Sequence, residues 1–104
     1  MSKLRLDGKK VIVTGGAAGI GKAICKIFVD EGAKIVIADV NSKIGKETTS
    51  EINQKSPNSA IYIQTDVSSE NDIQALTKES VDFLQGLDII VNNAVAFVFG
   101  KIED

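Results

Sequence analysis

The stretch Val11-Ile12-Val13-Thr14-Gly15-Gly16-Ala17-Ala18-Gly19-Ile20-Gly21 decides the fold. Its first three residues form an unbroken β-branched run, the mark of a strand buried on both faces. From Gly19 onward apolar residues return at helical spacing, as Ile20, Ala23, Ile24, Ile27 and Phe28, until Gly32 stops the pattern. A strand that enters a helix through a glycine-rich turn opens a βαβ unit. The glycines have separate uses there: one for a tight turn, one where a phosphate approaches bare backbone, one where helix and strand pack closely. The helix amino terminus adds N–H donors and a partial positive charge suited to a pyrophosphate. The bland alternative is a glycine-rich turn with no ligand. The loop lacks the Lys-Ser/Thr ending of an ATPase P-loop.

Reading outward, short apolar runs alternate with longer helical patterns. Ile35-Val36-Ile37-Ala38 is a second strand ending at Asp39, and a weaker helix follows with Ile44, Thr48 and Ile52 on one stripe. Ile61 and Ile63 alternate with Tyr62 and Gln64 in a third strand, which suits an outer, half-covered place in a sheet. Ser69 and Asp72 resemble a capping box before a helix whose inner face is Ile73, Leu76, Ser80, Phe83 and Leu84. Leu87-Asp88-Ile89-Ile90-Val91 is a fourth strand running into Asn92-Asn93-Ala94. The order β-α-β-α-β-α-β predicts an α/β, Rossmann-like doubly wound parallel sheet with strand order 3-2-1-4.

Length and composition bound what such a chain can do. With 104 residues it is one domain, 1–104, able to bury about 65% of its unfolded surface. Its 43% hydrophobic and 25% charged residues exclude intrinsic disorder. The balance of 12 basic to 14 acidic side chains argues against nucleic acid or an anionic membrane held by bulk charge. Histidine is absent, which excludes Ser-His-Asp and Cys-His chemistry and any histidine-ligated metal. The single cysteine, Cys25, can form neither an internal disulfide nor a thiolate zinc cage, and this fits a reducing cytoplasm. No apolar run approaches the roughly 20 residues that span a bilayer, and the amino end lacks a signal-peptide core.

Asp39 stands at the carboxyl end of the second strand, about two dozen residues past Gly15. A carboxylate there can accept hydrogen bonds from both hydroxyls of an adenosine ribose and repel a 2′-phosphate, which predicts NAD as cofactor. Its alternative role is a helix N-cap or a turn at the strand end.

On these residues the sequence resembles the short-chain dehydrogenase/reductase family of the ordinary short type. That type carries Thr-Gly-x-x-x-Gly-x-Gly, met here by Thr14, Gly15, Gly19 and Gly21, and the likeness runs from about Asp7 to Ala94. The extended type needs a glycine where Ala18 stands. The resemblance implies that Ile20 meets the pyrophosphate or the nearby ribose through its backbone. It also implies that Asp66 contacts adenine through its carboxylate, Val67 through its backbone, with an alternative for Asp66 as a cap on the next helix. Asn92-Asn93-Ala94 matches the segment that steadies the sheet and lines the nucleoside ribose, with Val95 in place of the family's glycine, so that a side chain crowds that corner. The family's Tyr-x-x-x-Lys pair and its upstream serine are not in this sequence. The one tyrosine, Tyr62, is followed four residues later by Asp66 and reads as packing, so no catalytic residue is assigned and the chain alone is expected to be inactive.

The sequence leaves three functions open. The first is the NAD-binding part of an oxidoreductase that moves hydride between nicotinamide and an alcohol or carbonyl of a small-molecule substrate. The second is a non-catalytic nucleotide- or partner-binding module whose fourth-strand edge is covered by another chain. The third, methyl transfer from S-adenosylmethionine, uses differently spaced glycines. The fourth strand reads as buried on both faces although it lies at an edge, and Val95-Ala96-Phe97-Val98-Phe99 is almost wholly apolar. That pattern favours a truncated chain, predicts self-association through this edge, and goes with a homo-oligomeric parent.

Overall fold

The computed structural model of the chain describes residues 6–92. The residues expected to matter at Asn93, Ala94, Val95 and the apolar run to Phe99 lie outside the described residues. Four strands and three helices alternate: β1 (Lys10–Thr14), α1 (Gly19–Asp30), β2 (Lys34–Asp39), α2 (Ser42–Lys55), β3 (Ala60–Gln64), α3 (Glu70–Leu84) and β4 (Ile89–Asn92). The strands form one sheet in the order β3-β2-β1-β4, every neighbouring pair parallel. This is the doubly wound arrangement the alternation predicts.

Register divides the side chains of the sheet between two cores. Val11 lies opposite Ile35 and Ile89, so Val11, Val13, Ile35, Ile37, Ile89 and Val91 share one face, where Cys25 and Val29 of α1 and Ile52 of α2 pack. Ile12, Val36 and Ala38 face the other way and meet Leu76 and Leu84 of α3. Each central strand buries side chains on both faces, which is why β1 and β2 read as continuous apolar runs. The chain crosses from one face to the other between β3 and β4. Sheet order therefore reverses around β1, and the carboxyl ends of β1 and β2 open onto the resulting crevice.

Of the helices, α3 turns inward the residues expected of it, Leu76, Ser80 and Leu84 buried with Ile73 and Phe83 half-buried, whereas α1 and α2 differ from the sequence reading. In α1 the buried residues are Gly21, Cys25 and Val29, with Ile24 and Phe28 half-buried, whereas Ile20 is 73% exposed and Ile27 58%. The apolar stripe is rotated because Gly21, the residue that admits the closest approach, must face the Gly15–Gly16 turn. Hydrophobic spacing registers side-chain size but not approach distance. The same shift occurs in α2, where Gly45 joins Thr48 and Ile52 in the buried row and Ile44 is exposed. In α3 the Ser69 hydroxyl accepts from Asp72 N at 3.2 Å, as a capping box does. The Asp72 carboxylate, however, reaches back to Asp66 N at 2.9 Å instead of to Ser69. The fourth strand begins at Ile89, two residues later than its apolar run suggests. Just before it Asp88 N donates to Lys10 O at 2.8 Å, while Lys10 N donates to the Asp88 carboxylate at 2.9 Å in place of a main-chain acceptor.

Ser80 is the weak point of the second core. It is 0% exposed and its hydroxyl has no hydrogen-bond partner. A buried unpaired hydroxyl costs about 1–3 kcal/mol, and alanine is also the better helix former. Ser80→Ala should therefore raise the urea midpoint of unfolding by an amount worth about 1 kcal/mol. A lowered midpoint would show that the hydroxyl is paired.

Candidate functional site

The turn between β1 and α1 is built from backbone. Gly15 N donates to Ala38 O at 2.7 Å, carrying the β1–β2 pairing one residue past the strand. Gly15 and Gly19 hold φ of 68° and 59°, where a side chain would be strained. Gly21 allows α1 to start flush against the turn, since a Cβ there would fall on the Gly15 carbonyl and lie 2.9 Å from Gly16 Cα. An added Cβ at Gly19 meets nothing within 4 Å, so the space beside that residue is open.

Helix starts are treated unequally. Asn41 caps α2 by accepting from Ile44 N at 3.1 Å, and Ser69 caps α3. The N-cap of α1 is Ala18, which makes no side-chain cap, and its first turn carries no acidic residue. A helix end presented to an open space without side-chain acceptors is suited to an external anion such as a pyrophosphate.

Beside this end stands Asp39. Its Oδ2 accepts from Ala17 N at 3.2 Å and its Oδ1 from Asn41 N at 3.0 Å. A carboxylate has about four acceptor positions, so both oxygens keep capacity for ligand hydroxyls. Asp39 lines a hollow of about 200 Å³ with Gly15, Ala38, Val40, Thr65, Asp66 and Val67. The hollow thus brings together Gly15, Asp39, Asp66 and Val67, which sequence reasoning singled out from three separate loops. A larger hollow, about 280 Å³ between the far ends of α1 and α2, contains none of these residues.

The remaining candidates sort by what their side chains do. Thr14 donates its hydroxyl to Val91 O at 3.2 Å and is buried, so it ties β1 to β4 and leaves the ligand face to the backbone. Ile20 stands exposed in the first turn of α1. Asp66 is exposed, and its Oδ1 accepts from Ser68 N at 2.9 Å and Ser68 Oγ at 2.6 Å. These bonds, the hydroxyl first, hold its carboxyl below the usual carboxylate range and keep it charged at neutral pH. Asp66 therefore shapes the turn before α3 while lining the hollow, and the cap on that helix is Ser69, not Asp66. Ala38, Val40 and Thr65 were missed. They flank the two aspartates at the strand ends, and the rule that ligands sit outside the carboxyl ends of parallel strands would have found them. Among the described residues no group of three or more Cys, Asp or Glu side chains could hold a metal ion, and no helix is long and apolar enough to cross a membrane.

Comparison with known proteins agrees with this geometry. A family model described as short chain dehydrogenase matches residues 9–104. The chain is 42% identical over 102 residues to a (21S)-21-acetoxyl-apo-melianone synthase of Melia azedarach, covering 96% of this chain and 36% of that protein. It is 39% identical over 101 residues to a sorbitol dehydrogenase of Cereibacter sphaeroides, covering 97% of this chain and 38% of the relative. Among solved structures, a hydroxysteroid dehydrogenase from Escherichia coli superposes with a TM-score of 0.81 at 39% identity, over 86% of this chain and 36% of that one. The chain spans little more than a third of the length of these relatives.

Cys25 lies directly beneath the loop, its Sγ 3.7 Å from Gly16 O. Burial pushes its thiol up to about 12, and the thiolate is the reactive form. It packs against the turn and is no nucleophile at neutral pH. Alkylation at pH 8 should be slower by at least a hundredfold in the folded chain than in urea. Equal rates would place the thiol at the surface and α1 in a different rotation.

Proposed function

The chain belongs to the short chain dehydrogenase family, and from its strand-end carboxylates we propose that it forms the NAD(H)-binding portion of an oxidoreductase. The family uses nicotinamide cofactors, NAD or NADP. When bound, such a cofactor supplies or accepts the hydride exchanged with an alcohol or carbonyl carbon. The observation that carries the reading is Asp39, a charged acceptor fixed by two backbone amides beside an uncapped helix start.

Each group has one task in this reading. The first turn of α1 takes the pyrophosphate on backbone N–H groups, and Gly19 leaves room for it. Asp39 accepts the two adenosine ribose hydroxyls, and Asp66 and Val67 border the adenine in the same hollow. The residues described here bind and orient; they include no assigned proton-transfer group. A buried free thiol suits a reducing cytoplasm.

A second element of the proposal concerns β4. β4 is the outer strand, and its Ile90, in register with Ile12 on the α3 side of the sheet, is 52% exposed. An unpaired edge beside an exposed apolar side chain favours a contact there, whether with a second copy or with another chain. Sedimentation should detect concentration-dependent association that Ile90→Lys weakens. A monomer at every concentration would remove this contact from the reading.

Cofactor choice tests the main proposal. Asp39 is negative where a 2′-phosphate would lie, and the neighbouring positions Gly16, Ala17, Ala18, Val40 and Asn41 include no base to answer it. Loss of charge-assisted hydrogen bonds costs about 1.5–3 kcal/mol, so NAD should bind roughly ten- to a hundredfold tighter than NADP. Asp39→Ser with Val40→Arg should narrow or reverse that ratio in calorimetric titrations. Equal affinities in the unmodified chain would overturn Asp39 as the ribose reader.

A further inference from the structure

Tyr62, which reads in sequence as packing, does something a phenylalanine could not. Its ring is half-buried against α2, and its hydroxyl donates to Asp39 O at 2.6 Å. The same carbonyl accepts from Thr65 N at 3.0 Å. The last peptide of β2 is thus held by one side-chain and one main-chain donor where the sheet pairing ends, and the side chain of that residue is the carboxylate facing the hollow.

The arrangement depends on Gly45. A Cβ at Gly45 would fall on the Cδ1 and Cε1 ring carbons of Tyr62 and lie 2.8 Å from Cζ. Glycine inside a helix costs about 0.5–1 kcal/mol relative to alanine, so the hollow it leaves for the ring is an expensive one. One turn along α2, Thr48 is 1% exposed and donates its hydroxyl to Ala17 O at 2.5 Å. Ala17 N in turn donates to Asp39 Oδ2. Residues three apart lie on one helix face. In α2, Gly45 thus seats the ring whose hydroxyl holds the Asp39 carbonyl, and Thr48 holds the carbonyl of Ala17, the loop residue whose amide binds the carboxylate; neither lines the hollow itself. Burial, and then the negative charge of Asp39, raise the phenol above its ordinary value. That direction agrees with a hydroxyl that stays protonated close to the carboxylate it supports.

We propose that Tyr62 is a positioning residue for cofactor discrimination, holding Asp39 in the setting that reads the ribose 2′-hydroxyl. The proposal rests on the NAD-binding reading above and adds the residue that makes its selectivity work. Binding groups need placement within about 0.5 Å, and a carboxylate on a freed strand end loses it. A merely structural phenol would weaken both dinucleotides alike. A positioning phenol weakens the one whose 2′-hydroxyl Asp39 accepts.

The test is calorimetric titration of the chain and its variants with NAD and with NADP. Tyr62→Phe should weaken NAD roughly three- to tenfold, the worth of one hydrogen bond, with NADP little changed, so that the ratio falls by the same factor. Gly45→Ala should lower the ratio in the same direction although it retains the phenol and improves helix propensity. In an Asp39→Ala background, Tyr62→Phe should leave the ratio unmoved, because the two act through one another. If the unmodified chain binds neither dinucleotide, or both equally, the NAD-binding reading falls and the proposal with it. If the unmodified chain prefers NAD and Tyr62→Phe keeps the full ratio, or weakens both cofactors equally, the proposal alone is overturned.

Discussion

The contact between Gly21 and the Gly15 peptide is the constraint from which the rest follows. No side chain fits between α1 and the turn that precedes it, so the rotation of the helix about its own axis is decided at its first turn. That rotation puts Cys25 and Val29 into the core one and two turns later and leaves Ile20 and Ile27 outside. It also presents the uncapped helix start to open space at the end of β1. The buried row of α1 is thus set by closeness to that turn before it is set by hydrophobicity.

The site is correspondingly a product of strand ends. Parallel pairing brings the carboxyl ends of β1, β2 and β3 side by side, and each contributes its loop to one hollow. What stiffens the hollow is a set of hydrogen bonds that tie α2 and β3 to the loop and to β2: Thr48 to Ala17, Ala17 to Asp39, and Tyr62 to the Asp39 carbonyl. Individually each is worth about 1 kcal/mol. Together they fix a carboxylate before any ligand arrives, which lowers the ordering cost of binding. The ion pairs of Lys22 and Lys26 with Glu51 also join α1 to α2, and they pull the Glu51 carboxyl below its usual range, the Lys22 hydrogen bond first. They are exposed and screened, and they steer the packing less than the buried Thr48 hydroxyl does.

Much of this was legible in the order of residues alone. Element order, parallel topology and strand sequence follow from continuous apolar runs alternating with helical patterns, because a strand covered on both faces and an amphipathic helix leave different periodicities. Gly15, Gly19, Gly21 and Asp39 were legible for a related reason. Their chemistry is local: positive φ, absence of Cβ, and a charge at a strand end are properties of one residue and its neighbours.

What only the tertiary structure decided depends on which surfaces meet across long stretches of chain. Nothing near Tyr62 in sequence indicates that its hydroxyl finds the carbonyl of Asp39, or that Gly45 is the hollow for its ring. Thr48 reads as one more position on a helical stripe until Ala17 lies across from it. That the Thr14 hydroxyl ties β1 to Val91 O of β4 is likewise not written in the residues beside it. Periodicity reports that a face is buried. The identity of the partner, and with it the difference between a residue that packs and one that positions, is decided by close approach between elements, a quantity that a one-dimensional pattern does not carry.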